Sequence, residues 1–316
     1  MAIISKIMED QMKRGIYLVA NLKSQEMCEN LVYSILESGC KLPIRIIHFG
    51  GSLINSPYLK TNAELIQYEQ FPEDAKTLVA NLRSVLTDCP LGFLYRFLAW
   101  FSDWDQFIYS DNDIVALTNW EEMFQYLDDY DLVHADEEYK TEGIYNYRKP
   151  EAVKQIFGES ALDSAITAGH IVVKRSPKMV SDINNAIDWF RSNADIPIKH
   201  DQSLLHIATL LGSWKTLNLC RQPYNWLSSW SGDYKNSLQL IQKIQSKGNK
   251  ISHLHYSGGK PHGNLPIEDL LFSSCSDNER LKKGASISLL SLSGYLSLQQ
   301  KLLKIRKEFA RRIKSL

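Results

Sequence analysis

The sequence predicts an α/β domain built on a mainly parallel sheet. Apolar residues make up 44% of its 316 residues and charged residues 23%, which is typical of an ordinary globular protein. The apolar run 16–20 predicts a first buried strand, and the run 44–49 a second. Between them, apolar residues recur at helical spacing up to Leu36, and Gly39 ends the pattern. Strand, helix and strand in this order form a βαβ unit, which makes neighbouring strands parallel.

Charge and cysteine content narrow the possible functions. The formal net charge is zero and the pI is about 7.1, so there is no overall electrostatic basis for binding nucleic acid. The five cysteines are widely spaced and contain no Cys-x-x-Cys pair, as expected for reduced thiols in a cytosolic protein. The mixed charges of residues 1–15 argue against a signal peptide, and no apolar run is long enough to span a membrane. We therefore expect a cytoplasmic protein that is soluble or peripheral to a membrane.

Hydrophobic patterns along the rest of the chain predict further strands and helices. The first strand is not followed by Gly-x-Gly-x-x-Gly or a Walker lysine, so a dinucleotide or P-loop site lacks its main support. Asn119 is expected to be the N-terminal cap of a helix. The polar residues 136–163 are expected to form either an acceptor loop or a plain surface insertion. The other expected strands are 65–71, 132–135, 171–173 and an edge strand at 250–255, and the expected helices are 74–86, 91–101, 176–191 and 204–211.

An acidic pair interrupts an apolar stretch in the middle of the chain. The apolar residues 107–109 are followed by Asp111 and Asp113, and an apolar run resumes at 114–117. Carboxylates in such surroundings are costly unless a cation compensates them. In open α/β sheets the ligand crevice lies at the carboxyl ends of the strands. The pair therefore predicts a Mg²⁺ or Mn²⁺ site facing phosphate oxygens, with a structural cap or turn as the alternative.

Two other Asp-x-Asp pairs serve as internal comparisons. Asp103 and Asp105 lie in the polar approach to the strand, and Asp129 and Asp131 lie in what is expected to be a solvated helix end or turn. Neither pair has apolar runs on both sides. We therefore expect both to be structural.

Small and polar residues later in the chain are candidates for contact with a substrate. Thr167, Ala168 and Gly169 precede a predicted strand, where small residues permit close approach of a ligand, although packing alone could also require them. Asp201 lies at the start of a helix, and its alternative role is that of a helix cap.

A histidine, a glycine and a lysine follow one another near residue 255. His253 and His255 fall on one face of the predicted edge strand, so only one of them need be functional. Gly258 and Lys260 follow in a turn-rich loop. Together the segment offers a metal ligand, a close backbone approach and a cation for phosphate.

The last part of the chain has a different composition. An apolar stripe at helical spacing runs from Leu298 to Leu316, and residues 301–316 contain seven basic residues and one acid. This pattern predicts a basic amphipathic helical tail over 276–316 that lies on a membrane surface. The alternative is a terminal helix docked on its own domain or on a second subunit, as in a homodimer.

Taken together, these segments resemble glycosyltransferase family 8, which includes glycogenin and bacterial lipopolysaccharide galactosyl- and glucosyltransferases and has the GT-A fold. The resemblance spans residues 16–263. It rests on the order and spacing of Val-Ala-Asn21, Tyr95-Arg96, Tyr-Ser-Asp-Asn-Asp113, Thr-Ala-Gly169, Asp-Gln202 and His-Tyr-Ser-Gly-Gly-Lys-Pro261. The chain departs from the family pattern at Thr167, at Ser203 and in the shorter closing signature that ends at His262. These departures bear on the donor sugar more than on the metal site.

The resemblance implies a GT-A catalytic domain over 1–275 and a role for each motif. It makes Asp111, Asp113 and His255 the ligands of Mn²⁺, or Mg²⁺, bound to a UDP-hexose. It places Arg96 and Lys260 at the diphosphate, and Gln202 near the anomeric carbon. Asp201 is the second implied catalytic residue. The other implied donor contacts are Ala20 and Asn21 at the base, Thr167, Ala168 and Gly169 at the sugar, and Asn112 and Gly258.

The implied reaction is metal-dependent transfer of a hexose from the UDP-sugar to a glycan or lipid-linked acceptor, with retention of anomeric configuration. The tail would hold the enzyme at the cytoplasmic face of a membrane. Two alternatives are a metal-dependent hydrolase of nucleotide sugars and a binding protein that keeps the fold without transfer.

Overall fold

The computed structural model describes residues 12–136, 146–234 and 249–256, together with Lys243. Nine strands are present in this part of the chain. They are β1 (Arg14–Ala20), β2 (Ile44–His48), β3 (Glu64–Gln67), β4 (Gln106–Ser110), β5 (Ile114–Ala116), β6 (Leu132–His134), β7 (His170–Lys174), β8 (Thr216–Asn218) and β9 (His253–His255).

Seven of these strands form the central sheet, in the order β3-β2-β1-β4-β7-β6-β8. β7 runs antiparallel to its neighbours β4 and β6, and the other neighbouring pairs are parallel. Strands β5 and β9 form a separate antiparallel pair. The predicted fold class, a mainly parallel α/β sheet flanked by helices, is therefore confirmed.

Helices connect the strands. The α-helices are α1 (Gln25–Glu37), α2 (Pro57–Asn62), α3 (Glu73–Val85), α4 (Leu91–Tyr95), α5 (Pro150–Phe157), α6 (Pro177–Ser192) and α7 (Asp201–Gly212). Helix α1 is followed by Gly39, whose φ of 86° suits a glycine. Asn119 caps the 3₁₀ helix Trp120–Asp128 by accepting a 2.9 Å hydrogen bond from the Glu121 amide, as expected.

Several elements differ from the sequence expectation, among them the strand expected at 65–71, which is β3 followed by the 3₁₀ helix Tyr68–Gln70. The helix predicted for 91–101 is the short α4 followed by the 3₁₀ helix Arg96–Phe101. The segment 136–163 contains helix α5, which Pro150 begins and Val153 anchors in the core. Strand β8 was not predicted because it is only three residues long, and its pairing with β6 provides the backbone partners that make it a strand.

Each face of the central sheet packs against its own hydrophobic core. On β1, Tyr17 and Val19 belong to one core while Ile16 and Leu18 belong to the other. The same two-sided burial holds for β4, where Phe107 and Ile108 lie in opposite cores. Burial on both faces explains why these strands read as continuous apolar runs.

The acidic pair follows the end of a buried strand, as expected, and the apolar run after it belongs to the other sheet. β4 ends at Ser110 inside the central sheet, and β5 begins at Ile114 in the second sheet. The chain turns at residues 111–113, which brings the two carboxylates to the carboxyl edge of the central sheet instead of leaving them in its buried ladder.

The predicted tail, residues 276–316, lies outside the described residues, as does the loop that contains Gly258 and Lys260. Within the described ranges no helix has both the length and the hydropathy to cross a membrane.

Candidate metal centre

Three candidate ligands from distant parts of the sequence meet at the carboxyl end of β4. One ligand atom each of Asp111, Asp113 and His255 lie within 4.8 Å of one another. His255 arrives through the second sheet, because its strand pairs with β5 in the register Ile114↔His255. Two carboxylates and an imidazole are a donor set that suits Mn²⁺, which accepts oxygen and nitrogen ligands. The side chains therefore fit the metal that the resemblance implies.

Backbone hydrogen bonds fix the turn that carries the two aspartates. The Asp111 amide donates to the Gly169 carbonyl at 2.7 Å, and the Tyr256 amide donates to the Asp113 carbonyl at 2.9 Å. The Asn112 side chain donates to the Val19 carbonyl at 2.7 Å, which ties the turn to the end of β1. The candidate ligands are thus held by bonds to three separate segments.

Arg96 and Tyr109 orient Asp111 from the interior. The Tyr109 hydroxyl donates to Asp111 Oδ1 at 2.7 Å, and Arg96 Nη2 lies 3.1 Å from the same oxygen. Arg96 is buried, and its Nη1 also donates to the Ala168 carbonyl at 2.6 Å and lies 2.9 Å from Asp201 Oδ2. These contacts of Arg96 are to the protein itself, whereas the resemblance implies that it faces a diphosphate.

Asp201 is the second acid that Arg96 holds. Its carboxylate is buried completely, and Asp201 Oδ1 lies 2.7 Å from His200 Nδ1. Burial alone would raise the pKa of Asp201, but Arg96 and His200 outweigh it and lower that pKa below its usual value. The cap position of α7 belongs to His200, so the alternative role of Asp201 as the helix cap is wrong.

The amide of Gln202 is bonded at both ends. Gln202 Nε2 donates to Asn146 Oδ1 at 2.9 Å, and Gln202 Oε1 accepts from the Ala168 amide at 3.2 Å. The structure thus connects Gln202 to Arg96 through Ala168. Asn146 was not among the expected site residues, because nothing in its polar sequence surroundings distinguishes it.

The ring of His255 leaves no room for a side chain at residue 169. A Cβ atom on Gly169 would lie 2.3 Å from Cε1 of His255. Packing against His255 therefore explains the glycine at this position, and its contact with a sugar stays a prediction. The neighbouring Thr167 hydroxyl lies 3.4 Å from Nδ1 of the buried His134.

The residues expected at the base lie at the end of β1. Ala20 is buried, and Asn21 shares reciprocal 3.0 Å hydrogen bonds with Ser24, the Ser24 amide donating to Asn21 Oδ1 and the Asn21 amide donating to Ser24 Oγ. Beyond them, a cavity of about 450 Å³ opens at the carboxyl ends of β2 and β3. Its lining includes His48, Ile54, Asn55, Lys60, Leu65 and Gln67. The sequence did not indicate this cavity, because its walls come from separate segments.

The imidazole of His255 lies between the carboxylates of Asp113 and Asp136. His255 Nε2 lies 3.5 Å from Asp113 Oδ1, and His255 Nδ1 lies 3.2 Å from Asp136 Oδ2. Burial disfavours the imidazolium, yet the two carboxylates outweigh it and raise the pKa of His255 well above its usual value. Burial would also raise the pKa of Asp113, but His255 lowers it overall. Asp136 was not singled out from the sequence.

The two comparison pairs have structural roles. Asp103 forms an ion pair with Arg45, and Asp105 Oδ2 accepts a 2.8 Å hydrogen bond from the Lys13 amide. Asp129 ends a 3₁₀ helix, and Asp131 Oδ2 accepts a 2.8 Å hydrogen bond from the Lys215 amide.

The fold of the described residues is that of the GT-A glycosyltransferases. The bifunctional glycosyltransferase WbbM shares the fold at 14% sequence identity and a TM-score of 0.51, over 88% of this chain and 50% of WbbM. The chain thus spans about half the length of WbbM. Mouse xyloside xylosyltransferase 1 matches at 13% identity and a TM-score of 0.50, over 79% of this chain and 99% of the mouse protein.

A family model described as "Mannosyltransferase putative" matches residues 13–188, which is more than half of the chain. The protein belongs to this family of glycosyltransferases. No curated protein matches the chain significantly. Membership of glycosyltransferase family 8 stays a prediction.

Proposed function

We propose that the protein transfers a hexose from a nucleotide diphosphate sugar to a glycan or lipid-linked acceptor, with a divalent metal held by Asp111, Asp113 and His255. The observation that carries the proposal is the meeting of these three side chains at the carboxyl edge of a GT-A sheet. This edge is where open α/β sheets bind their ligands. The family description favours mannose as the sugar, and the resemblance to family 8 favours UDP as the nucleotide.

Arg96 and Tyr109 prepare one of the proposed ligands, Asp111, for the metal. Arg96 and Tyr109 hold Asp111 in one orientation, so this ligand needs little reorganisation when a cation binds. A bound Mn²⁺ would neutralise the charge that develops on the leaving diphosphate.

The cavity at the ends of β2 and β3 lies two to three strands from β4, about 10–15 Å at ~5 Å per strand. An extended nucleoside diphosphate can bridge that separation, so we assign the cavity to the nucleoside.

Sugar contacts are proposed for Asp201 and Gln202. Both lie at the start of α7 and connect to Arg96, directly or through Ala168. The oriented amide of Gln202 is a fixed polar group that could hydrogen-bond a sugar hydroxyl after exchange with Asn146. Retention of anomeric configuration is part of the proposal and is tested by NMR of the first-formed product.

The central test replaces Asp113 by asparagine, which preserves size and removes one charge. We expect Mn²⁺-dependent nucleotide binding and sugar transfer to fall at least 100-fold, because the metal loses a charged ligand. Binding is measured by calorimetry with UDP and GDP, and transfer with UDP- and GDP-hexoses, mannose included, with and without Mn²⁺.

Asp103→Asn and Asp129→Asn are the matched controls, since each changes an aspartate of an Asp-x-Asp pair outside the cluster. Equal losses from all three variants would refute the metal assignment. Release of free sugar at the same rate without any acceptor would identify a hydrolase, and binding without turnover a binding protein.

A further inference from the structure

The imidazole of His255 has a carboxylate at each of its two nitrogens. Its Nε2 faces Asp113, and its Nδ1 lies 3.2 Å from Asp136 Oδ2. His255 and Asp136 are both buried, so bulk water competes little for this hydrogen bond. Asp136 lies beyond β6, which is separated from β4 by β7.

Backbone pairing brings Asp136 to the histidine. The Ser229 amide donates to the Ala135 carbonyl at 3.3 Å, and the His255 amide donates to the Ser229 carbonyl at 2.8 Å. The end of β6, residue 229 and β9 therefore lie side by side. The Asn218 side chain also donates to the Asp136 carbonyl at 3.2 Å. The contact between the two side chains follows from these main-chain bonds.

Packing leaves His255 few other positions. A Cβ atom on Gly169 would lie only 2.3 Å from the ring atom Cε1, so the ring packs closely against the backbone of residue 169. A rotation of the ring by 180° would place carbon atoms where Nδ1 and Nε2 now lie, and both polar contacts would be lost. The hydrogen bond to Asp136 favours the orientation in which Nε2 faces Asp113.

We propose that Asp136 is a positioning residue for the metal centre, an inference that rests on the proposed function. A metal-bound imidazole uses the lone pair of one nitrogen and carries its proton on the other. Asp136 accepts the Nδ1–H bond, which leaves Nε2 as the nitrogen presented to the cation and makes it more basic. Because Asp136 contacts the nitrogen remote from Asp113, it acts on the ligand and not on the cation.

The test measures binding of Mn²⁺ alone to the full chain, by the electron paramagnetic resonance signal of free Mn²⁺. Asp136→Asn should weaken binding 10- to 100-fold, as expected for loss of a carboxylate behind a metal-bound histidine. Asp182→Asn is the matched control. Asp182 is also a buried carboxylate, but it accepts from Trp214 Nε1 at 2.7 Å and has no contact with the cluster. Its variant should bind Mn²⁺ like the wild type.

A double-mutant cycle separates positioning from simple charge attraction. In a His255→Ala background, Asp136→Asn should cause no further loss of Mn²⁺ affinity, because there is no imidazole left to orient. An equal loss in both backgrounds would show that Asp136 acts as a general negative charge, and the inference would be overturned. Wild-type affinity in Asp136→Asn would also overturn it.

Two further outcomes complete the test. If Asp136→Asn does not fold, ¹⁵N-histidine NMR of the wild type loaded with diamagnetic Zn²⁺ reports the tautomer directly. A proton on Nδ1 and metal on Nε2 support the proposal, and the reverse arrangement refutes it. A wild type that binds no divalent cation would refute the proposed metal-dependent function and the inference with it, whereas loss of the inference alone leaves wild-type binding intact.

Discussion

Two arginines in this protein each hold a pair of acids, and in each case one acid is the first aspartate of an Asp-x-Asp sequence. Arg96 contacts Asp111 and Asp201 at the carboxyl edge of the sheet. Arg45 contacts Glu64 and Asp103 near its amino edge. The surroundings differ: Arg96 is 2% exposed and Asp201 0%, whereas the side chains of Glu64 and Asp103 are 62% and 60% exposed.

This difference shows that a local sequence pattern does not by itself make a site. Arg45 itself is 19% exposed, but both of its acids are exposed to solvent, so its ion pairs contribute little. In the Arg96 group, Arg96 and Asp201 are buried and Asp111 is 20% exposed, so each of these charges depends on the others. The second aspartate completes the contrast, because Asp113 meets His255 from a distant strand while Asp105 accepts a bond from the backbone of Lys13.

The largest expected effect comes from breaking the buried group. Arg96→Met has similar length but leaves Asp111 and Asp201 without their cation, which should lower the free energy of unfolding by about 3–5 kcal/mol. Urea denaturation followed by circular dichroism measures this loss. Arg45→Met is the matched control, and we expect it to lose about 1 kcal/mol or less because its acids are exposed. Equal losses would mean that burial does not distinguish the two arginines.

An intermediate effect is expected from Gly169→Ala on the histidine side of the cluster. The added methyl would lie 2.3 Å from His255, so either the ring or β7 must shift. We expect a loss of about 1–3 kcal/mol in stability and a weaker affinity for Mn²⁺.

Gly51→Ala is the control for this substitution, because a Cβ there would meet no atom within 4 Å. Thermal unfolding and Mn²⁺ titration of both variants make the comparison. Unchanged Mn²⁺ affinity in Gly169→Ala would show that the position of His255 does not matter for the metal.

The smallest effect should come from the exposed comparison pair. Asp103→Asn removes one charge next to Arg45, and we expect stability to change by less than about 1 kcal/mol. High salt should reduce this difference further, because exposed charges are screened. A loss above 2 kcal/mol, measured by urea denaturation at low salt, would indicate that the Arg45 group is as interdependent as the Arg96 group.

Much of the central sheet was predictable from local patterns. Strands β1 and β4 are buried on both faces, so their central residues form continuous apolar runs that the sequence shows directly. The short strand β8 and helix α5 were not predicted, because tertiary pairing and packing decide elements of this length. The local pattern indicated Asp111 and Asp113 as a metal site, but His255 was joined to them only through the family resemblance, since no local signal connects it with residues so distant in sequence.

Sequence alone determined that the chain forms a mainly parallel α/β sheet with an acidic turn at the end of a buried strand, because hydrophobic periodicity and the cost of burying carboxylates are local properties. The tertiary structure decided what each acid does. Buried Arg96 forms ion pairs with both Asp111 and Asp201, and Asp136 lies at hydrogen-bonding distance from Nδ1 of His255. These contacts depend on which strand ends lie side by side, and that arrangement is a property of the assembled sheet.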